Sequence, residues 1–216
     1  MIAILDKKPT TYQGQFGEFT IDKSDRREVL IYRAGLVMAA LSFAIATNLF
    51  VAQGEAALPW ITPLFAVFSL SLGVSLYFIH IYMVALHRTL QVFWAIGSIS
   101  AIALSLQSPE PLALFVYNNP LTLFGIGFTF AALTGIYFKE AFCFNRLETK
   151  MLTPIVPFLL LGHMAGLLPP DIEQVCLALW TIGFTIFAGR KMVQEIDPDI
   201  GDKSVFTYLK EQKQML

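Results

Sequence analysis

The chain has 216 residues, of which 56% are hydrophobic and only 14% are charged, and its formal net charge is −1. Soluble domains carry about 25% charged residues, so this composition excludes an ordinary water-soluble domain. The near-zero net charge also argues against nucleic-acid binding, which needs a basic surface.

The chain starts with a polar arm, residues 1–24, which lacks the apolar core of a signal peptide. Asp25 and Glu28 have the spacing of a capping box. This spacing predicts that the first helix begins near Asp25 and reaches the membrane through a short helical stalk, residues 25–33.

Six stretches without Asp, Glu, Lys or Arg follow, each of 16 to 32 residues. A helix needs roughly 20 apolar residues to cross a bilayer, so each stretch predicts one crossing. Pro59 and Pro63 indicate a loop before the second crossing, and we expect Arg190 and Lys191 to extend the last one by snorkelling. The predicted spans are 34–53, 63–87, 89–107, 119–138, 151–168 and 174–190.

The sequence therefore predicts an all-α polytopic membrane protein with a bundle of six transmembrane helices over residues 25–191. A polar tail, residues 192–216, follows. All 15 Lys and Arg residues fall on one side of this arrangement. By the positive-inside rule, both termini are predicted to be cytoplasmic.

Small residues recur at four-residue spacing in three predicted spans. Such ridges let helices approach closely in lipid, and packing within one bundle is favoured over a dimer interface, although the oligomeric state stays open. The ridges are Gly97–Ala101–Ser105, Gly127–Ala131–Gly135 and Gly162–Gly166.

Two histidines lie deep in the predicted spans, His80 and His163, whereas His87 lies near the interface. A neutral imidazole can bind chlorophyll magnesium or haem iron, so both are candidate pigment or polar-site ligands; the alternative is hydrogen bonding to a neighbouring helix. Their predicted depths, about 11 Å and about 18 Å from the cytoplasmic face, argue against a bis-histidine haem. Chlorophyll stays open as a cofactor, and no metal-site spacing occurs.

Charged residues near the predicted cytoplasmic ends form a candidate docking surface; the alternative is a set of ordinary positive-inside loops. No catalytic motif or catalytic residue is recognisable, which predicts a non-enzyme. The docking candidates are Arg26, Arg27, Arg33, Arg88, Lys139, Glu140, Arg146 and Glu148.

Three segments and a following stretch together resemble a family of integral membrane proteins of unknown function from cyanobacteria and the plastids of plants and algae. The segments begin with Tyr-Gln-Gly-Gln-Phe-Gly at Tyr12, Asp-Arg-Arg-Glu-Val-Leu at Asp25 and Gly-Ile-Tyr-Phe-Lys-Glu at Gly135, and the stretch is 157–163. The resemblance implies an oxygenic phototroph and a thylakoid or plasma membrane.

Three functions follow as hypotheses. The first is a non-enzymatic assembly or stability factor, with the bilayer and photosynthetic membrane subunits as partners. The second is a transporter or facilitator of a small neutral or apolar solute, which needs a cavity near polar residues such as Asn48, Thr129 and Thr134. The third is an interfacial lipid or isoprenoid enzyme, which needs a pocket shared by Arg27, His87, Glu140 and Arg146.

Overall fold

The structure, a computed structural model, describes residues 8–214. The arm contains an antiparallel hairpin of β1 (Thr10–Gly14) and β2 (Gly17–Ile21), in which Thr10 pairs with Ile21 and Gly14 with Gly17. Gly17 has φ 135°, a backbone conformation that suits glycine at the turn. The composition of the arm did not predict this hairpin.

The first helix, α1 (Lys23–Gln53), begins after Asp22. The Asp22 carboxylate accepts hydrogen bonds from the Ser24 and Asp25 amides, and the Asp25 carboxylate accepts one from the Asp22 amide. The capping box is thus Asp22 with Asp25, three residues before the predicted one. Glu28 is not its partner, because it pairs with His80 instead.

Helix α2 (Leu58–Phe78) packs antiparallel to α1 across a turn at Gly54, which has φ 59°. The Ser75 hydroxyl donates to the Tyr32 carbonyl at 3.0 Å, and a side chain at Gly35 would overlap with the Ser71 carbonyl. The two helices therefore touch backbone to backbone.

Most of the remaining described residues are also helical. The further helices are α3 (Val84–Gln107), α4 (Leu112–Asn118), α5 (Leu123–Phe144), α6 (Leu147–Met164), α7 (Pro170–Val193), α8 (Asp197–Ile200) and α9 (Ser204–Gln214).

Four helical runs in the described residues are long and apolar enough to cross a membrane. The first is a 56-residue run that contains both α1 and α2; the others are Val84–Gln107, Pro120–Phe144 and Pro170–Val193. Helix α6 has 18 residues and is not among them. The architecture is that of a helical, polytopic membrane protein.

The bounds of the second predicted span differ most from the structure. Helix α2 already begins at Leu58. Pro59 does not prevent this start, because it lies in the first turn, where a proline removes no helical hydrogen bond. It ends at Phe78 rather than near residue 87, and residues 79–83 form a non-helical linker to α3. His80 therefore lies in a linker, not two turns inside a helix.

The six long helices form a closed ring in which each packs against the next and α7 returns to α1. Ser69 of α2 bonds Ser98 of α3 at 2.7 Å, and Thr181 of α7 donates to Thr47 of α1 at 3.2 Å. Aromatic side chains fill the centre of the ring. They are Phe43, Phe68, Phe130, Tyr137, Trp180, Phe184 and Phe187.

The hairpin and the tail lie together at one end of this ring. The Tyr12 hydroxyl donates to Asp197 at 2.7 Å, the Gln15 amide donates to Asp202 at 2.7 Å, and the Phe16 ring stacks on Tyr208 at 4.1 Å. We call this layer the cap: the hairpin 10–21, the linker 79–83 and the tail segment 194–209. Arm and tail are parts of one structure.

Candidate functional site

A buried ionic network joins the cap to the bundle. The Lys191 ammonium of α7 lies 2.7 Å from Glu140 Oε2 of α5 and 2.5 Å from Asp199 Oδ1 of α8. The side chains of Lys191 and Glu140 are fully buried, and that of Asp199 is 2% exposed. Charges removed from water this completely are tolerated only with close partners.

Arg33 of α1 fixes the tail in this network. Its Nε and Nη2 atoms both donate to one oxygen, Asp199 Oδ2, at 2.9 and 2.7 Å, and both hydrogen bonds are charge-assisted. Its Nη1 and Nη2 atoms also donate to the carbonyls of Gln194 and Glu195, at 2.6 and 2.7 Å. One guanidinium therefore satisfies the backbone where α7 ends and the tail turns back.

Two further cations complete the network. Lys139 Nζ lies 2.9 Å from Glu140 Oε1, and Arg146 donates to the side-chain oxygen of Gln194 at 2.6 Å. Helices α1, α5 and α7 and the tail are thus held by one cluster.

Sequence reasoning missed Lys191 and Asp199. Lys191 was expected to snorkel outward with Arg190, but only Arg190 points outward, where it pairs with Glu148 at 3.0 Å. The helical period held a usable signal: Phe184, Phe187 and Lys191 are spaced three and four residues apart and share the core-facing side of α7.

The predicted docking residues divide into two groups. Arg26, Arg33 and Glu140 are buried, at 1%, 4% and 0% exposure, because each is paired inside the protein. These three are not part of an exposed surface. Arg27 and Arg88 are exposed, and Lys139, Arg146 and Glu148 are partly exposed.

Low pH should weaken the attachment of the tail to the bundle through Asp199. Burial alone would raise the pKa of Asp199, but the charge and hydrogen bond of Lys191, together with Lys139 and Arg33, lower it below its ordinary value. A carboxylate with a lowered folded-state pKa stabilises the fold above its unfolded pKa, and this stabilisation is lost as the pH falls through the folded pKa. We expect the thermal midpoint of unfolding to decrease when the pH is lowered below about 4. This decrease should be smaller in Asp199→Asn. An equal fall in both proteins would contradict the role of Asp199.

The two candidate histidines differ in whether both ring nitrogens have a hydrogen-bonding partner among the described residues. His163 Nδ1 lies 2.7 Å from Glu173, its Nε2 lies 3.2 Å from the Tyr117 carbonyl, and its ring stacks on Tyr117. Both nitrogens are therefore occupied by protein groups. His80 Nε2 pairs with Glu28 at 3.3 Å, whereas its buried Nδ1 makes no hydrogen bond within residues 8–214. Burial lowers the pKa of His80, and Glu28 opposes this shift in part.

An apolar cavity of about 440 Å³ lies at the end of the ring opposite the cap. Phe43, Phe65, Phe68 and Phe130 form much of its wall, and Leu177 of α7 also lines it. Leu177 precedes Lys191 by 14 residues on the same helix, so these two residues lie about 21 Å apart along the helix axis. The aromatic centre of the bundle separates them.

A family model described as "Uncharacterized integral membrane protein (DUF2301)" matches residues 74–208, more than half of the chain. The chain belongs to this family. No curated protein and no solved structure matches it.

The matched region of this family member runs from the end of α2 to α9. It includes Glu140, Lys191 and Asp199 of the ionic network, but Arg33 lies outside it. The Gly135 and 157–163 segments quoted for the resemblance also lie inside it, whereas the Tyr12 and Asp25 segments do not. The membership establishes an integral membrane protein.

The residues named for an interfacial enzyme do not share one pocket. Glu140 and Arg146 belong to the ionic network, whereas Arg27 is exposed and His87 Nε2 bonds the Leu76 carbonyl at 2.7 Å. Nor do the polar residues named for a solute path line the large cavity. Asn48 donates to the Ala44 carbonyl of its own helix, and Thr129 is fully buried.

Proposed function

We propose that this family member crosses the membrane six times, with both termini in the cytoplasm. Three observations support this topology. The long helices alternate in direction around a closed ring, the arm and tail meet in one cap, and in the sequence all 15 Lys and Arg residues fall in the segments on one side of the six predicted spans, which include the arm and the tail. By the positive-inside rule this side is cytoplasmic.

The function that we propose is that of a non-enzymatic assembly or stability factor for a photosynthetic membrane complex. The cap carries this proposal. It is preformed, because Arg33, Lys191 and Asp199 fix it to the bundle through buried pairs. Binding surfaces held on rigid supports lose little entropy on association.

The outer face of the cap has the composition of a protein interface. It presents the partly exposed rings of Tyr12, Phe16 and Tyr208, and the exposed cation Arg27 lies beside it in the first turns of α1. Aromatic residues and arginine are enriched at such interfaces. The resemblance to cyanobacterial and plastid proteins is the reason for choosing a photosynthetic partner in a thylakoid or plasma membrane.

The test is affinity purification of the tagged, gently solubilised protein from a phototroph that carries it. We expect photosynthetic subunits to copurify, and we expect Arg27→Glu with Arg88→Glu to reduce their yield several-fold, because a rim charge steers association. The absorption spectrum of the purified material tests for chlorophyll, for which the free Nδ1 of His80 is the candidate ligand.

Glu110→Lys is the matched control, because it reverses one exposed charge at the opposite end of the bundle. It should leave the yield of partners unchanged. Two results would sink the proposal: purification without photosynthetic subunits, or unchanged complexes in a strain from which the protein has been deleted.

The second candidate is a facilitator or carrier of an apolar solute, and the cavity of about 440 Å³ favours it. A path through the ring would also have to cross the aromatic centre and the ionic network, which are closely packed in this conformation. An interfacial lipid enzyme has less support, because Glu140 is fully buried in the ionic network whereas Arg27 is exposed and His87 bonds the Leu76 carbonyl.

A further inference from the structure

The wall of the large cavity offers few hydrogen-bonding partners to water. The polar wall groups that α1 contributes are already bonded: the Ser42 hydroxyl donates to the Met38 carbonyl at 2.8 Å, and Thr47 accepts from Thr181 at 3.2 Å. A water molecule needs two to four polar partners, and cavities without them stay dry. Apart from Glu55, Tyr117 and Asn118, the rest of the wall is aromatic and aliphatic, so most of the natural occupant is hydrocarbon.

The other polar side chains of the lining lie at one end of the cavity. Glu55 belongs to the turn between α1 and α2, and Tyr117 and Asn118 end α4. The Tyr117 hydroxyl donates to Glu173 at 3.4 Å. The Glu55 carboxylate and the Asn118 amide make no hydrogen bond within residues 8–214, and both are exposed enough to reach a ligand.

We propose that the cavity binds one single-chain lipophile that ends in a hydroxyl group. The chain lies among the rings of Phe43, Phe65 and Phe68, and the hydroxyl donates to the Glu55 carboxylate. The volume is near the lower end of the range for ligand sites, which suits one chain rather than the two chains of a phospholipid. This inference is independent of the docking role, because the cavity and the cap lie at opposite ends.

The probe is farnesol, with farnesyl methyl ether as the analogue that lacks the donor. The full chain in phosphatidylcholine nanodiscs is loaded with either compound and analysed by native mass spectrometry. We expect saturable binding of one farnesol per chain. Ala46→Trp, which fills the cavity, should reduce this binding at least tenfold.

Glu55→Gln keeps the cavity but removes the charged acceptor. It should weaken farnesol about three- to tenfold, roughly the difference between a hydrogen bond to a charged acceptor and one to the neutral amide oxygen that remains, and leave the ether unchanged. This surface change also keeps the test decisive if Ala46→Trp fails to fold.

Ala131→Trp is the matched control, because Ala131 lines a separate apolar groove between α5 and α6. It should bind farnesol like the wild type. The proposal is overturned by full binding in Ala46→Trp, by equal losses for farnesol and the ether in Glu55→Gln, or by a cavity that holds only bulk phospholipid and does not accept farnesol.

Discussion

Replacing Lys191 with methionine should lower the free energy of unfolding by about 3–5 kcal/mol, the usual result of removing one partner from a buried ion pair. Lys191 Nζ lies between Glu140 Oε2 and Asp199 Oδ1, at 2.7 and 2.5 Å. Without it, two buried carboxylates face each other across the space that the ammonium occupied. The measurement is denaturant-induced unfolding of the purified protein in one detergent.

Arg190→Met provides the matched control on the neighbouring residue. The Arg190 side chain is 54% exposed and pairs with Glu148 at 3.0 Å. Exposed pairs contribute about 0–1 kcal/mol, so this variant should unfold close to the wild type. Equal losses in the two variants would contradict a special role for the buried network.

A double variant separates charge from packing. Lys191→Met with Glu140→Gln removes one charge of each sign and leaves Asp199 paired with Arg33. Because an uncompensated charge is the costly element, the double variant should be more stable than Lys191→Met alone. If it is not, the loss comes from the contacts of the Lys191 ammonium with the rings of Phe144 and Tyr32, which both variants lack.

The sequence predicted the helical membrane architecture, because uninterrupted apolar stretches leave few alternatives in a bilayer. It did not predict the break at residues 79–83, since Ile79, Ile81 and Met83 are as apolar as the helix before them. The break depends on tertiary contacts: His87 bonds the Leu76 carbonyl, and the Tyr82 hydroxyl donates to the Ile200 carbonyl. No local pattern encodes such partners.

The ionic network and the cap escaped prediction for the same reason. Tyr12 and Asp197 are 185 positions apart in the chain, and Arg33 and Asp199 are 166 apart. Counting charges locates the cytoplasmic end but does not distinguish inward from outward side chains. Arg26, Arg33 and Glu140 were therefore assigned to a surface although the fold buries them.

The small-residue ridges were predicted more successfully at some positions than at others. Gly97 and Gly135 sit at the contact between α3 and α5, against Thr129 and Leu90. Gly127 faces the open groove beside α6, and Gly166 ends α6 with φ 66°. Spacing identifies candidate ridges, but only the helix rotation decides which glycine meets a neighbour.

Gly97→Ala should destabilise the bundle by about 1–3 kcal/mol, the usual effect of overpacking a core. A Cβ atom at this position would overlap with both the hydroxyl and the backbone nitrogen of Thr129. A backbone atom cannot rotate away as a side-chain tip can, so α3 and α5 must separate. The loss should appear as a lower thermal midpoint of the purified protein.

Gly127→Ala makes the same chemical change on α5, where the nearest neighbour of a new Cβ is Leu123 of the same helix, at 3.8 Å. This variant should be neutral or slightly stabilising, because alanine favours a helix more than glycine does. The contrast isolates the close approach of α3 to α5 from helix propensity, which acts with the same sign in both variants. Equal thermal midpoints for the two alanine variants would contradict that approach, and with it the packing of the ring at this contact.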